Sequence, residues 1–466
     1  MKNQVFNPYL PSYEYIPDGE PHVFGDRLYV YGSHDRFGGD DYCLNDYVCW
    51  SAPTSDLSDW RYEGVIYRKD QHPHKGVKNM LYAPDVAQGP DGRYYLYYTR
   101  ADSFVISVAV CDTPAGQYSY YGDVHAKNGH VYGMDPSDWF EFDPAVLVDD
   151  DGRIWLYSGT GQKSSEKLGR PVVGAFVKEL EPDMITAKSE PRIIMGREKQ
   201  DHKKPAFFEG ASIRKVNGLY YFVYPSTDFT GLHYCTSKYP DRAFVYRGRI
   251  HSTSDIGMNG YHLYKPAYPY GNNHGGIACV NGKYYIFDHR MTNRTFYSRQ
   301  GVAEEIEIRD DGFIKQVEST SCGLNGGPLR GSGTYPAYIA CNLQPRRLFG
   351  INLPDGPYMT QEGEDREGDP NQHIAGITHG SLAGFKYFLF DGNCHNISVR
   401  VRGEAKGKLH IRTSQKGKDI ACLKIDVHSQ DWQDICGAFS TIVGKYPLYF
   451  LYKGTGTLDM MEFTLG

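Results

Sequence analysis

Five times along the chain a glycine turn runs straight into an aromatic strand: FGDRLYVYGS, GPDGRYYLYYT, DDDGRIWLYSG, VNGLYYFVYPS and VNGKYYIFDHR. The turn glycines are Gly25, Gly92, Gly152, Gly218 and Gly282, so successive units are 67, 60, 66 and 64 residues long. Each unit also carries a later strand-like run, DYVCWSAP, VISVAVCD, PVVGAFVK, GLHYCTS and QGVAEEIEI in turn, and long amphipathic helices are hard to find. A near-constant period built from strands alone is the signature of a β-propeller blade, because one such unit cannot bury its apolar face without neighbours. A β-sandwich has no need of that regularity. The period predicts an all-β chain with a five-bladed propeller over residues 1–320 and four strands in each blade.

A second regularity rides on the first. Counting back from each turn glycine, a polar residue stands just ahead of the first strand: Asp18 by 7 residues, Asp85 by 7, Asp143 by 9, Glu209 by 9 and His274 by 8. The first strand of a propeller blade lines the central channel, so four acids and a histidine are expected to converge at one mouth. Turn chemistry accounts for an acid at one such place; it does not account for the shared register. Carboxylates gathered in one cleft repel each other and separate their pKa values, leaving one protonated and one ionised. That pair is what glycosidic bond cleavage requires, and binding of a cation or a sugar is the competing use.

Composition removes other classes. The net charge is −6, without the concentrated basic face that nucleic acid demands, so no nucleic-acid partner is expected. No run approaches the roughly 18 apolar residues of a membrane span, and the opening MKNQVFNPYLPSYEY has no apolar core of a secretory signal. The ten cysteines form no zinc-type CxxC pair, and Cys111, Cys279 and Cys422 fall inside apolar strand-like runs. They read as reduced thiols, which points to the cytoplasm.

In order and in motif the repeats resemble glycoside hydrolase family 43, five-bladed propellers acting mostly on xylose- and arabinose-containing glycans; the likeness spans about residues 7–320. The resemblance implies that Asp18 is the general base, that Asp143 in FDPAVLVDDDG tunes and orients the acid, and that Glu209 in FFEGASIRK is the general acid. Many members have Asp-Pro at the base, whereas this chain has Asp18-Gly19-Glu20-Pro21, which keeps Glu20 as a rival and assigns Gly19 to a sharper turn. The resemblance further implies that His274 in NNHGG holds a calcium ion or its water shell, with a metal-free channel histidine as the other reading. Arg299, or alternatively Arg290, would contact the sugar, with Tyr82, Asp85 and Trp139 as further substrate-binding candidates.

After residue 320 the blade signature stops. Residues 321–339 are rich in Gly and Pro and read as a connection. Residues 340–466 resume short alternating strands, which predicts a β-sandwich of jelly-roll type. YMTQEGEDREGD and GTGTLDMMEF there resemble carbohydrate-binding module family 6, which implies a structural calcium on Glu362, Glu364 and Asp459. Trp432 is the one tryptophan of this part, so a structural lid or pocket wall is expected rather than an independent sugar binder. The reading is an inverting, exo-acting glycosidase that releases xylose or arabinose from short oligosaccharides, with no organic cofactor. An arabinanase, a galactosidase or a non-catalytic glycan-binding propeller are the alternatives, and oligomeric state is left open.

Overall fold

The glycine turns close tight hairpins. In the computed structural model, which describes residues 3–74, 76, 78–197, 205–345, 356–368 and 371–466, the fourth and fifth of these turns are Asn217-Gly218 and Asn281-Gly282. Their φ values are 49° and 77°, and 51° and 78°. They join the cross-strand pairs Val216–Leu219 and Val280–Lys283. Two consecutive left-handed residues give a two-residue turn whose twist matches that of the strands, which is why Asn-Gly recurs there.

Each hairpin opens a blade. Blade one runs Glu20–Phe24, Arg27–Tyr31, Tyr47–Pro53 and Arg61–Tyr67, blade two Asp85–Gln88, Tyr94–Tyr98, Ser107–Cys111 and Ser119–Asp123. Blade three is built on Ala145–Val148, Ile154–Thr160, Gly174–Leu180 and Arg192–Gly196, and blade four on Ser212–Val216, Leu219–Pro225, Leu232–Ser237 and Val245–His251. The innermost strands neighbour one another in a closed ring from blade one to blade five and back. Apolar side chains fill every seam: Leu96 and Tyr98 pack with Tyr47 and Ile66, Ile213 and Phe222 with Tyr157 and Val177, and Phe287 with Val30 and Trp50.

Blade five departs from the expected four strands. Its sheet contains Ile277–Val280, Lys283–Met291 and Arg299–Ile306, three strands among the described residues. The chain's beginning lies along the free edge instead. Tyr9 N–H donates to the Gly301 carbonyl, and the Asn7 side chain exchanges hydrogen bonds with Ala303, donating to its carbonyl at 2.9 Å and accepting its N–H at 3.0 Å. A buried edge needs its polar groups satisfied, and the side-chain amide of Asn7 does that in place of a strand.

The C-terminal part is one nine-stranded sheet that curls around its own core. Runs expected to be separate short strands are continuous: Asn396–Arg412 spans 17 residues, Asp419–Ala438 spans 20 and Val443–Leu465 spans 23. Alternate residues Ile397, Val399 and Val401, then Leu409 and Ile411, point inward, the two-residue period of a sheet with one covered face. The stretch expected to be only a connection contributes strands to this sheet. Leu329–Arg330 pairs in parallel with Leu382–Asp391, and Gly333–Pro336 pairs with Val443–Leu465. Among the described residues no helix is long and apolar enough to cross a membrane.

Candidate active site

Whether a polar residue faces the channel mouth depends on where its strand begins. Asp18 and Asp143 stand two residues ahead of their strands, and Glu209 and His274 three residues ahead. All four line one cavity of about 460 Å³ together with Arg299, a size that suits a small ligand. Asp85 is the first residue of its strand and lies below the mouth, fully buried. Its carboxylate accepts from Val146 N–H at 2.7 Å and meets His22 Nε2 at 2.6 Å, so the expected sugar contact at Asp85 is replaced by a structural role between blades.

Asp18 and Asp143 take left-handed backbone, φ 57° and 44°. That conformation is uncommon for any residue with a Cβ, and it turns each carboxyl from the strand direction into the cavity. Gly19, expected to allow a sharper turn, meets a different need: a Cβ there would lie 3.1 Å from Val30 and 3.2 Å from the Tyr9 hydroxyl. Glu20 drops below the pocket, where Arg214 donates to it at 2.7 Å and Ser212 at 3.1 Å. Asp18, not Glu20, faces the cavity.

The two candidate catalytic carboxyls are set oppositely. Burial alone would raise Asp18, but the Arg299 guanidinium outweighs it and holds the group below the ordinary aspartate range. The Arg299 guanidinium donates to Asp18 at 3.1 Å while gripping Asp35 with two nitrogens at 2.8 and 3.0 Å. His289 Nδ1 accepts the Asp18 backbone N–H at 3.2 Å while its Nε2 donates to the Asn272 carbonyl at 3.0 Å. Arg299 therefore acts first on Asp18, and Arg290 lies elsewhere, bound to the Ala340 carbonyl and Gln300.

Glu209 is pushed up to about 7, by burial first and then by the Asp18 charge, with the Gln162 amide on its carboxylate pulling the other way. Asp143 is also raised, by burial and then by the charges of Glu209 and Asp18, against one hydrogen bond from Gly210 N–H at 3.1 Å. An Asp143 that was simply ionised would raise Glu209 by like-charge repulsion alone. Buried together, the two carboxyls instead titrate as a pair that shares a proton. Asp143→Asn removes one of the two negative charges that resist the last ionisation. The alkaline limb of the pH–rate profile, where Glu209 loses its proton, is therefore expected to move to lower pH; an unmoved limb in stopped assays across pH would take this role from Asp143.

The walls are aromatic: Tyr42, Tyr82, Phe142, Phe208, Phe229 and Phe296. Trp139 packs edge-on against Phe176, 5.2 Å between ring centres, away from the cavity lining, and Phe142 takes the place expected for it. Gln162, Tyr42, Phe229 and Phe296 come from loops outside the repeated register, and the sequence carried no signal for them. Beyond Gln162, Phe208 and Phe229 a second open cavity of about 560 Å³ adjoins the first on the side of Glu209.

Two cation sites were expected, and they fare differently. In the channel, His274 Nε2 and Glu20 Oε1 face each other at 3.8 Å, both buried and without a hydrogen-bond partner among the described residues. Burial pushes His274 down to about 4, so its imidazole is neutral and able to bind a cation or its water. In the C-terminal sheet, Glu362 and Asp459 do meet, but around Arg402, which donates to both and lies 4.3 Å over Trp432. A guanidinium holds the place assigned to calcium, and Glu364 is exposed, its N–H donating to Glu367. Of the metal site expected on Glu362, Glu364 and Asp459, Glu362 and Asp459 thus form an ion-pair cluster with Arg402, which Glu364 does not join.

Comparison with known proteins places this geometry. Residues 15–314 match the model of the glycosyl hydrolases family 43. The whole chain is 47% identical to a xylosidase/arabinosidase of Thermoclostridium stercorarium, the alignment covering 100% of this chain and 99% of that one. A β-xylosidase/α-arabinofuranosidase from a compost microbial metagenome, solved with xylotriose in a calcium-free form, has 27% identity and a TM-score of 0.53 over 66% of this chain and 95% of its own. An arabinoxylan arabinofuranohydrolase from Bacillus subtilis shares the fold over 98% of this chain and 97% of its own, with a TM-score of 0.52 and 22% identity. With the family match lying over all five blades and over Asp18, Asp143 and Glu209, this chain belongs to the glycosyl hydrolases of family 43.

Proposed function

We propose that the enzyme removes single xylose or arabinose residues from short xylan- or arabinoxylan-derived oligosaccharides, with inversion at the anomeric carbon. The observation that carries this reading is the opposite setting of two carboxyls on one cavity: Asp18 held ionised, Glu209 raised to about 7. Asp18 takes a proton from water as that water attacks the anomeric carbon, and Glu209 gives its proton to the departing glycosidic oxygen. Solvent then restores both groups. The aromatic walls suit sugar faces, and the adjoining cavity beyond Glu209 leaves room for the rest of the oligosaccharide as leaving group. The 47% identity to a xylosidase/arabinosidase supports the choice of sugars.

His274, with Glu20 opposite, is the fitting place for a calcium ion or its water shell. Such an ion would supply fixed positive charge beneath the pocket. Buried thiols such as Cys43 and Cys49 favour a reducing compartment, and a cytoplasmic enzyme would meet only oligosaccharides small enough to be imported, which fits exo action.

A panel of nitrophenyl glycosides followed by proton NMR tests the reading. Xyloside and arabinofuranoside are expected to be cleaved, with the inverted anomer appearing first. A retained first-formed anomer would make Asp18 a nucleophile and overturn the mechanism.

A further inference from the structure

The loop between the second and third strands of blade one supplies much of the pocket yet contains neither strand nor helix, and a few side-chain bonds such as Cys43 N–H to Asp35 at 3.1 Å hold its shape. Asp35 grips Arg299, the Tyr42 ring lies 5.0 Å from that guanidinium, and Cys43, only 2% exposed, lines the cavity. The loop crosses two left-handed positions, Gly38 at φ 70° and Cys43 at φ 55°. A segment of this kind opens cheaply unless something else fixes it.

The C-terminal domain supplies that fixation from one short segment. One oxygen of Asp365 accepts the Phe37 N–H at 2.7 Å, and the other accepts the Asn45 side-chain amide at 2.9 Å, so one carboxylate ties both ends of the loop's tip. Beside it Arg366 donates to the buried Glu14 at 2.6 Å, and Gln361 accepts the Tyr15 hydroxyl at 2.6 Å. Bonds to a charged acceptor are the stronger kind, and the carboxylate adds to the tie that the Asn45 amide makes inside the loop, to the Asp35 carbonyl at 3.0 Å.

We propose that Asp365 is a positioning residue for catalysis: by clamping Phe37 and Asn45 it holds Tyr42 and Cys43 in the pocket wall and keeps Asp35 on Arg299. The C-terminal domain is then a working part of the catalytic pocket although none of its described residues lines the cavity. The kinetic part of this inference rests on the glycosidase reading.

The test compares full-length wild type with Asp365→Ala and Asp365→Asn, using whichever nitrophenyl glycoside the wild type cleaves, and measures iodoacetamide alkylation of Cys43 by peptide mass mapping. Loss of both bonds in Asp365→Ala is expected to raise KM about tenfold, more than it lowers kcat, and to speed Cys43 alkylation. Asp365→Asn keeps a carbonyl acceptor for Phe37 N–H and is expected to recover most of both. Wild-type KM with unchanged Cys43 alkylation in Asp365→Ala overturns the proposal, as does lost activity with Cys43 still protected. Should Asp365→Ala fail to fold, Asn45→Ala cuts the same clamp from the propeller side and must give the same two changes; unchanged values there overturn it equally. If the wild type cleaves no xyloside or arabinofuranoside, the sugar assignment fails, while the alkylation contrast still decides the clamp.

Discussion

Asp18→Asn is expected to lower kcat/KM for an aryl xyloside by roughly 10²–10⁴-fold, the range spanned by a lost general base. The exchange barely alters volume, and the new amide oxygen can still accept from Arg299, which donates to Asp18 at 3.1 Å in the native site. What disappears is the ability to take a proton from water. Azide needs no deprotonation and, supplied in the assay, should restore turnover while yielding a glycosyl azide of inverted configuration. A variant that keeps more than about a tenth of native activity, against the loss general-base removal causes, would move the base elsewhere. Glu20 is poorly placed to inherit the role, because Arg214 and Ser212 hold it beneath the pocket.

Glu209→Ala is expected to act selectively. With xylobiose, whose departing oxygen is strongly basic, the loss should approach the upper end of the roughly 10²–10⁴-fold range for general acid catalysis. With a dinitrophenyl xyloside the leaving oxygen departs without a proton, and only a small loss should remain. Initial rates on the two substrates give the ratio directly; equal losses would show that Glu209 serves binding or fold and would return the acid to the coupled partner, Asp143.

The propeller was legible because its signal is repeated. A glycine turn followed by an aromatic strand is weak once, but five copies at one spacing leave little else for the chain to form. The catalytic carboxyls were legible for the same reason, since register against the turn places each at the mouth. Register had a limit of a few residues, and Asp85 shows it: one place inside the strand rather than two ahead of it sends the side chain below the pocket. Trp139 was misplaced because it precedes the repeated register, where spacing says nothing of direction. Of the three C-terminal acids expected to meet around a metal, Glu362 and Asp459 do meet, around a guanidinium, and Glu364 does not join them. Their partner Arg402 is 40 residues from Glu362 in sequence and 57 from Asp459, brought in by strand pairing that local motifs do not reveal. Asp35 escaped notice although Arg299 depends on it, because the two are 264 residues apart and meet only across the ring.

The Asn7 contacts with Ala303, and the bond from Arg299 to Asp18 just inside them, have a consequence for how the chain comes to be. A ribosome delivers Asp18 some 281 residues before Arg299. Through most of synthesis the nascent chain therefore carries an acid whose guanidinium has not yet been made and an amide, that of Asn7, with no edge to bind. Contacts so remote in sequence form late, after the local hairpins. The Asp18–Arg299 pair is then completed with the last blade, and a prematurely terminated chain that lacks it contains both Asp18 and Glu209 without the charge that keeps Asp18 ionised.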